Sequence, residues 1–183
     1  RRFPGPPPGI SFADKCVSFD LKDSYHHIPI CEHDQTYLGI KWKEQYLVWQ
    51  VCPFGLSSSG YFFNKTIRAV TTYLRAQGLN ITFFVDDGLL CANDSQITDH
   101  KDMIVHTLDE LGFKLNVEKS VLVPTTHIEW IGYNIDTWGE NDQVWISIPR
   151  RRIRVLQHDM RRAIKAKDIT AKHLARITGQ CIA

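Results

Sequence analysis

Three aspartates set the hardest condition this chain meets on folding. Asp20 closes the apolar run CVSF, and Asp86 and Asp87 fall between ITFFV and LLC, none with a basic residue beside it. An unpaired carboxylate is expensive to bury. Either the carboxyl pKa values rise and the groups stay partly neutral, or cations neutralise them, and hard oxygen ligands on adjacent strands suit Mg²⁺ or Mn²⁺. Two such ions about 3.5–4 Å apart would activate an attacking hydroxyl and stabilise a leaving pyrophosphate in an in-line phosphoryl transfer. Plainer readings stay open for each residue taken alone: a polar hairpin tip for Asp86-Asp87-Gly88 and a strand-end cap for Asp20.

The pattern around these residues predicts the elements that carry them. Residues 16–19 read as a short buried strand ending at Asp20, and apolar character returns at Ile28-Pro29-Ile30. TYLGIKWKEQYLVWQV at 36–51 alternates about Lys43-Glu44-Gln45, as a two-stranded hairpin with one buried face would. PFGLSSSG at 53–60 is a loop by composition; Phe63, Ile67, Val70 and Leu74 then recur at helical spacing until Gly78, a left-handed cap. Between the β runs at 81–85 and 89–91, Asp-Gly is a strong hairpin signal and puts the turn at 86–88.

A second helix is predicted over about 98–111, with Met103, Ile104, Leu108 and Leu111 inward and Gly112 ending it. Short strands follow near 113–115, 121–123 and 128–135, and residues 138–140 turn back into VWISI. Pro149 opens a basic helix with Ile153, Leu156, Met160 and Ile164 inward, and residues 170–178 form one more short helix before Gly179. This order predicts an α+β fold, an antiparallel sheet with helices on one face followed by a helical tail, in place of an alternating doubly wound fold.

Charge is unevenly spread. Residues 1–148 carry twelve Lys or Arg against eighteen Asp or Glu, and residues 149–183 ten against two, so a body of net −6 precedes a segment of net +8. A polyanion held by the basic segment while carboxylates in the body bind metal is one reading; a solvated basic helix is the other. The first ten residues hold four of the eight prolines and read as a linker of polyproline character. With 43% hydrophobic and 23% charged residues the chain is not of a disordered class. No stretch approaches the roughly 18 apolar residues of a membrane span, and no signal-peptide core is present, so a soluble intracellular protein is expected. Cys16, Cys31, Cys52, Cys91 and Cys181 lack zinc spacing and are expected to be reduced. His26-His27 and Glu32-His33-Asp34 also lack that spacing and are assigned no chemistry. From the start without methionine and the stop on GQCIA after a helical pattern, an excerpt of a longer protein is expected.

A strand-end aspartate some 66 residues before a double-aspartate hairpin, with a glycine-serine loop and helix between, resembles a polymerase palm. The chain resembles the reverse transcriptase family, with five motifs in that family's order: FDLKDSY at 19–25 (motif A), CPFGLSSSGYFF at 52–63 (B), FVDD at 84–87 (C), LGFKLNVEKS at 111–120 (D) and IEWIGY at 128–133 (E, the primer grip). DLKDSYHHIPI and PFGLSSSG are closest in wording to DIRS-like tyrosine-recombinase retrotransposons, with hepadnavirus-like and long-terminal-repeat enzymes further off.

The resemblance implies a division of labour. Asp20 and Asp86 would ligate two Mg²⁺ ions, with Mn²⁺ as a substitute, Asp87 a secondary contributor and the Leu21 carbonyl a backbone ligand. Asp23 and Ser24 would present N–H groups to an incoming dNTP, Tyr25 would exclude a 2′-hydroxyl, and Phe54 and Gly55 would shape the pocket around nucleotide and templating base. Phe84 and Val85 would lie beside the primer end, and Lys119 would protonate the pyrophosphate. Trp130, Gly132 and Tyr133 would grip the primer, while Arg150, Arg151, Arg152, Arg154, Arg161, Arg162 and Lys165 would follow the backbone of an RNA or DNA template with its primer.

The implied division is a linker from missing fingers (1–11), a palm with part of the fingers (12–148) and the start of a basic helical thumb or connection (149–183). Two departures stand out: Phe84 replaces the usual tyrosine of the box, which predicts reduced activity, and Gly60 stands where many relatives have proline. An inactive or domesticated remnant that binds nucleic acid is the alternative.

Overall fold

The computed structural model describes residues 9–166 and 168–182; the side chains of Glu140 and Ile182 lie outside that description, as do residues 1–8 of the expected linker and Lys167. The first strand, β1 (Lys15–Asp20), turns Val17 and Phe19 to one face and Cys16 and Ser18 to the other, all buried, as a strand covered on both sides requires. A 3₁₀ turn (Ser24–His27) and the short α1 (Glu32–Gln35) lead to a ribbon of β2 (Gly39–Trp42) and β3 (Gln45–Val48). Then come α2 (Ser59–Ala76), the hairpin β4 (Ile81–Phe84) and β5 (Asp87–Ala92), and α3 (Ile97–Glu110). β6 (Val121–Thr125) rejoins the first sheet, β7 (His127–Trp130), β8 (Tyr133–Asp136) and β9 (Trp145–Ser147) build another, and α4 (Arg150–Lys165) and α5 (Ala171–Ile182) follow.

The four-stranded sheet runs β4-β5-β1-β6 and is antiparallel throughout. Its period of two separates two cores. Val17, Phe19, Leu21, Ile81 and Leu90 meet Phe63, Ile67, Val70 and Leu74 of α2 and Ile97, Ile104 and Leu108 of α3. On the opposite face Cys16, Leu89 and Cys91 meet Ile128 and Ile135 of the second sheet. At about 1.5–3 kcal/mol for each large apolar side chain fully buried, the helix-facing core, with fourteen buried residues, holds the central strands far more firmly than the five on the other side. The fold is α+β, with α2 and α3 on one face.

Several elements depart from the pattern reading. All eight strand residues of the β2–β3 ribbon are exposed, where the alternation predicts one buried face. The ribbon is tied to the body at its base, through Ile30–Gln50 and Cys52–Ile28 backbone hydrogen bonds of 2.9 Å, and no third element among the described residues covers it. In α3 the inward residues are Ile97, Ile104 and Leu108, spaced i, i+7, i+11; Met103 and Leu111 are exposed. Residues 128–135 are a tight hairpin and not one strand, because Ile131 and Gly132 both take positive φ, 43° and 81°, as a type I′ turn requires.

The helical tail differs too. Ile153, Met160 and Ile164 of α4 are exposed; α4 is held at its start by the β7–β8 hairpin and packs on α5. Buried Asp159 of α4 accepts from Arg176 of α5 at 3.1 Å and fixes that pairing. Gly179 lies within α5, which begins after Thr170 caps the His173 amide at 3.2 Å.

Candidate active site

β1 and β5 pair so that Asp20 and Asp87 are direct partners across the ladder, which turns both side chains to the same face. Asp86 occupies the turn between β4 and β5, and its carbonyl accepts from the Leu21 N–H at 3.0 Å. The turn is therefore Val85-Asp86, one residue earlier than the Asp-Gly signal places it. Gly88 is a strand residue: a Cβ there would lie 2.6 Å from the Phe83 ring, so the glycine serves close packing. Val85 is left at φ +57°, a conformation that strains a β-branched residue and that persists only where its surroundings fix it. Phe84, at the head of the turn, is 59% exposed.

The three carboxylates act on one another. Burial, first, and then the charges of Asp86 and Asp20 push the Asp87 carboxyl above its ordinary 3.8, while Lys119 pulls it back. Lys119 reaches this neighbourhood because the segment 114–120 runs beside the end of β1. Lys22 N–H donates to the Lys114 carbonyl at 2.8 Å, and Asn116 N–H to the Asp20 carbonyl at 2.8 Å. Asp20 N–H donates to Ser120 Oγ at 2.9 Å, and that hydroxyl donates to the Asn116 carbonyl at 2.8 Å. Both backbone groups of Asp20 are thus fastened by one short turn. Of this segment the motif singles out Lys119 alone; Ser120 beside it supplies the side-chain contact to Asp20, and Asn116 joins Asp20 through its backbone N–H.

A second group of residues stands beside the first. Asp23 takes φ +51° and turns the chain out of the ladder into the 3₁₀ turn, where Ser24 is buried. The Tyr25 ring rests against Phe54, 5.0 Å between centroids, and Phe63, 5.8 Å. A Cβ on Gly60 would reach the Tyr25 hydroxyl at 3.5 Å, so α2 begins directly beneath that ring. Gly55 stands at φ +90° with open space where a Cβ would be, which makes backbone conformation the reason for glycine there.

A third group joins the β7–β8 hairpin to α4. Trp130 and Tyr133 pair across the turn. Arg152 donates to the Gly132 carbonyl at 2.8 Å and lies over the Tyr133 ring, and Arg151 pairs with Glu129. Two of the seven expected phosphate-contacting cations are thereby engaged with protein groups. Arg150, Arg154, Arg161, Arg162 and Lys165 are exposed along α4.

Among the described residues no three His, Cys, Asp or Glu side chains converge into a cage for one ion. The donor set nevertheless fits Mg²⁺, which takes one or two carboxylates and completes its shell with water and substrate phosphates. Asp20, Asp86 and Asp87 offer oxygen ligands alone, and their mutual repulsion, felt at Asp87, is what a divalent cation relieves.

The family model described as reverse transcriptase (RNA-dependent DNA polymerase) matches residues 10–135. Protein P of duck hepatitis B virus (strain China) is 28% identical over 126 residues, covering 66% of this chain and 16% of the viral protein. The Gag-Pol polyprotein of bovine immunodeficiency virus (strain R29) is 23% identical over 189 residues, 96% of this chain and 11% of the polyprotein. Among solved structures, the foamy viral protease-reverse transcriptase in complex with an RNA/DNA hybrid superposes with a TM-score of 0.75 at 19% identity, over 91% of this chain and 20% of that one. A second foamy viral structure, with double-stranded DNA, gives 0.78 at 19% identity over 93% and 27%. The chain thus spans less than a fifth of the length of the viral relatives it matches.

Proposed function

The chain belongs to the reverse transcriptase (RNA-dependent DNA polymerase) family, and from that membership we propose that it is the palm, with part of the fingers, of an RNA-directed DNA polymerase that extends a primer 3′-hydroxyl with dNTPs. The observation that carries this reading is the meeting of motifs A, C and D: Asp20 opposite Asp87, Asp86 in the adjoining turn, and Lys119 alongside. Asp20 and Asp86, with the Leu21 carbonyl and a lesser share from Asp87, would hold divalent metal, Mg²⁺ or Mn²⁺. When bound, a pair of such ions supplies an activated hydroxyl nucleophile and charge relief for the leaving pyrophosphate.

The remaining roles fall to this chain's own groups. Lys119 donates a proton to the leaving pyrophosphate, a task that needs reach and no burial, and the side chain is exposed. Backbone N–H groups at Asp23 and Ser24 orient the triphosphate. Tyr25, wedged by Phe54 and Phe63, cannot swing away to admit a 2′-hydroxyl, so it selects deoxynucleotides by exclusion. Phe84 and Val85 lie beside the primer end. The β7–β8 hairpin, stiffened by its type I′ turn and by Arg152, steers the primer terminus, and the exposed cations of α4 follow the duplex as the start of a thumb.

Residues 12–148 are on this reading the palm unit and 149–183 the beginning of the next. The solved relatives were captured with an RNA/DNA hybrid and with double-stranded DNA, which supports a primer-template as partner here. The wording of DLKDSYHHIPI and PFGLSSSG supports a DIRS-like retrotransposon as the parent element.

Primer extension on poly(rA) with Mg²⁺ or Mn²⁺ tests the reading, comparing this chain, the chain with upstream residues restored, and Asp86→Asn in each. Extension that disappears in Asp86→Asn is expected. No extension from the restored chain, together with salt-sensitive binding of a primer-template, would leave a nucleic-acid-binding remnant and end the enzymatic claim.

A further inference from the structure

The pair His26-His27 fits no metal spacing, yet one of the two closes a gap in the ladder beside the site. Next to the Leu21–Leu115 bridge, Lys22 and Lys114 would exchange two backbone hydrogen bonds if strand pairing continued. One forms, from Lys22 N–H to the Lys114 carbonyl at 2.8 Å. The chain then leaves the ladder at Asp23, φ +51°, and the Lys114 N–H is taken up instead by Nε2 of His27 at 3.0 Å. The other ring nitrogen, Nδ1, lies 3.1 Å from the Ser24 carbonyl oxygen. An amide can only donate and a carbonyl can only accept, so both partners require one tautomer, with the hydrogen on Nδ1 and Nε2 bare. The ring also lies against Phe113, 5.2 Å between centroids, one residue before Lys114.

Resting on the polymerase reading above, we propose that His27 is a positioning residue for nucleotidyl transfer: as the Nδ1–H tautomer it ties segment 113–120 to the turn of Ser24 and Tyr25, and so sets Lys119 relative to the bound nucleotide. Segment 114–120 has four hydrogen-bonded anchors in the ladder region, one of them from the Lys22 N–H to the Lys114 carbonyl. Two of them, Asn116 and Ser120, grip Asp20. The fourth, Lys114 to His27, is the one that reaches the nucleotide-binding turn. Losing it leaves Lys119 near the aspartates and Lys114 held to Lys22 alone, which loosens the segment's first half and alters the approach to the leaving group more than the binding of primer-template.

The test uses the extension-competent chain and the variants His27→Ala, His27→Phe and His27→Gln. Glutamine can accept from Lys114 and donate to Ser24; phenylalanine keeps the contact with Phe113 and can do neither. Single-turnover incorporation should fall about tenfold in the alanine and phenylalanine variants, the scale of one lost hydrogen bond to a backbone group. KM for dNTP should change less, and glutamine should restore most of the rate. Adding Lys119→Ala to His27→Ala should cost less than Lys119→Ala alone. Long-range ¹H–¹⁵N spectra of the histidine rings should show Nδ1–H at His27, and the Lys114 amide should exchange faster in His27→Ala. A wild-type rate in His27→Phe, fully multiplicative losses with Lys119→Ala, or an Nε2–H tautomer would each overturn the proposal. Absence of extension from the parent chain would remove the catalytic role and the polymerase reading together. In that event, the tautomer and the Lys114 exchange rate still decide whether the strut exists.

Discussion

Alanine at position 88 separates two reasons for the glycine after the paired aspartates. Gly88 is buried inside β5, opposite Phe19 on β1 and Phe83 on β4. A Cβ there would lie 2.6, 2.9 and 3.1 Å from three atoms of the Phe83 ring, where ordinary contact begins at 3.4 Å, so the ring must retreat by about 0.8 Å, which is 3.4 less 2.6. Phe83 packs against the helix-facing core, and its retreat presses on that core. Overpacking of this kind costs about 1–3 kcal/mol, while alanine for a strand glycine recovers about 0.4–1 kcal/mol of unfolded-state entropy. The overpacking is the larger, and Gly88→Ala should lose about 1–2 kcal/mol, read as a lower urea midpoint at unchanged m-value. In a Phe83→Leu background the ring edge is gone, and the same substitution should be neutral or slightly stabilising, a coupling of about 1–2 kcal/mol. A glycine required for a positive φ would pay its penalty whatever stands at position 83. Equal losses in both backgrounds would refute the packing account.

Two further substitutions probe the carboxylate site. Asp87 holds its proton more tightly folded than unfolded, so its contribution to stability is fully present below 3.8 and is lost as pH rises through the raised folded value. Asp87→Asn should therefore be more stable than the parent chain at pH 7 in chelator, by about 0.5–1 kcal/mol for a like-charge cross-strand pair. The variant should also show a flatter pH dependence just above 3.8 and a smaller rise of Tm on adding Mg²⁺. A variant less stable than the parent in chelator would mean that Asp87 is held by favourable contacts. Ser120→Ala removes the acceptor of the Asp20 amide and should cost about 1–2 kcal/mol, with faster hydrogen exchange at Asp20; unchanged exchange there would show that the clamp is not the anchor.

What the sequence made legible follows how local each signal is. The α2 stripe was readable because Phe63, Ile67, Val70 and Leu74 all face one partner, and each is buried. The β2–β3 ribbon was misread because alternation reports which residues share a face, without reporting what covers it. The stripe of α4 failed for the same reason: Ile153, Met160 and Ile164 are periodic, but the helix is held by Arg151 and Arg152 at one end and by the bond from Arg176 of α5 to Asp159. Gly88 failed differently. Asp-Gly is common at turns because glycine tolerates positive φ, and here the same residue is required by a ring on the next strand, a constraint that no window of neighbouring residues contains.

The site repeats this division at closer range. Motif order brings Asp20, Asp86, Asp87 and Lys119 into one hypothesis, and the register of β1 against β5 sets Asp20 opposite Asp87, with Asp86 in the adjoining turn. The side chains that hold them were silent, because Ser120 and His27 act on backbone amides far away in the chain: that of Asp20, 100 positions before Ser120, and that of Lys114, 87 positions after His27. A side chain that touches substrate leaves a mark in a motif because its chemistry limits what can replace it. A side chain that satisfies a distant amide can be one of several polar residues, and only the fold shows which amide it serves. His27 lies between these cases: it stands two residues past motif A, and its bond to Lys114 becomes visible only once motif D lies beside it.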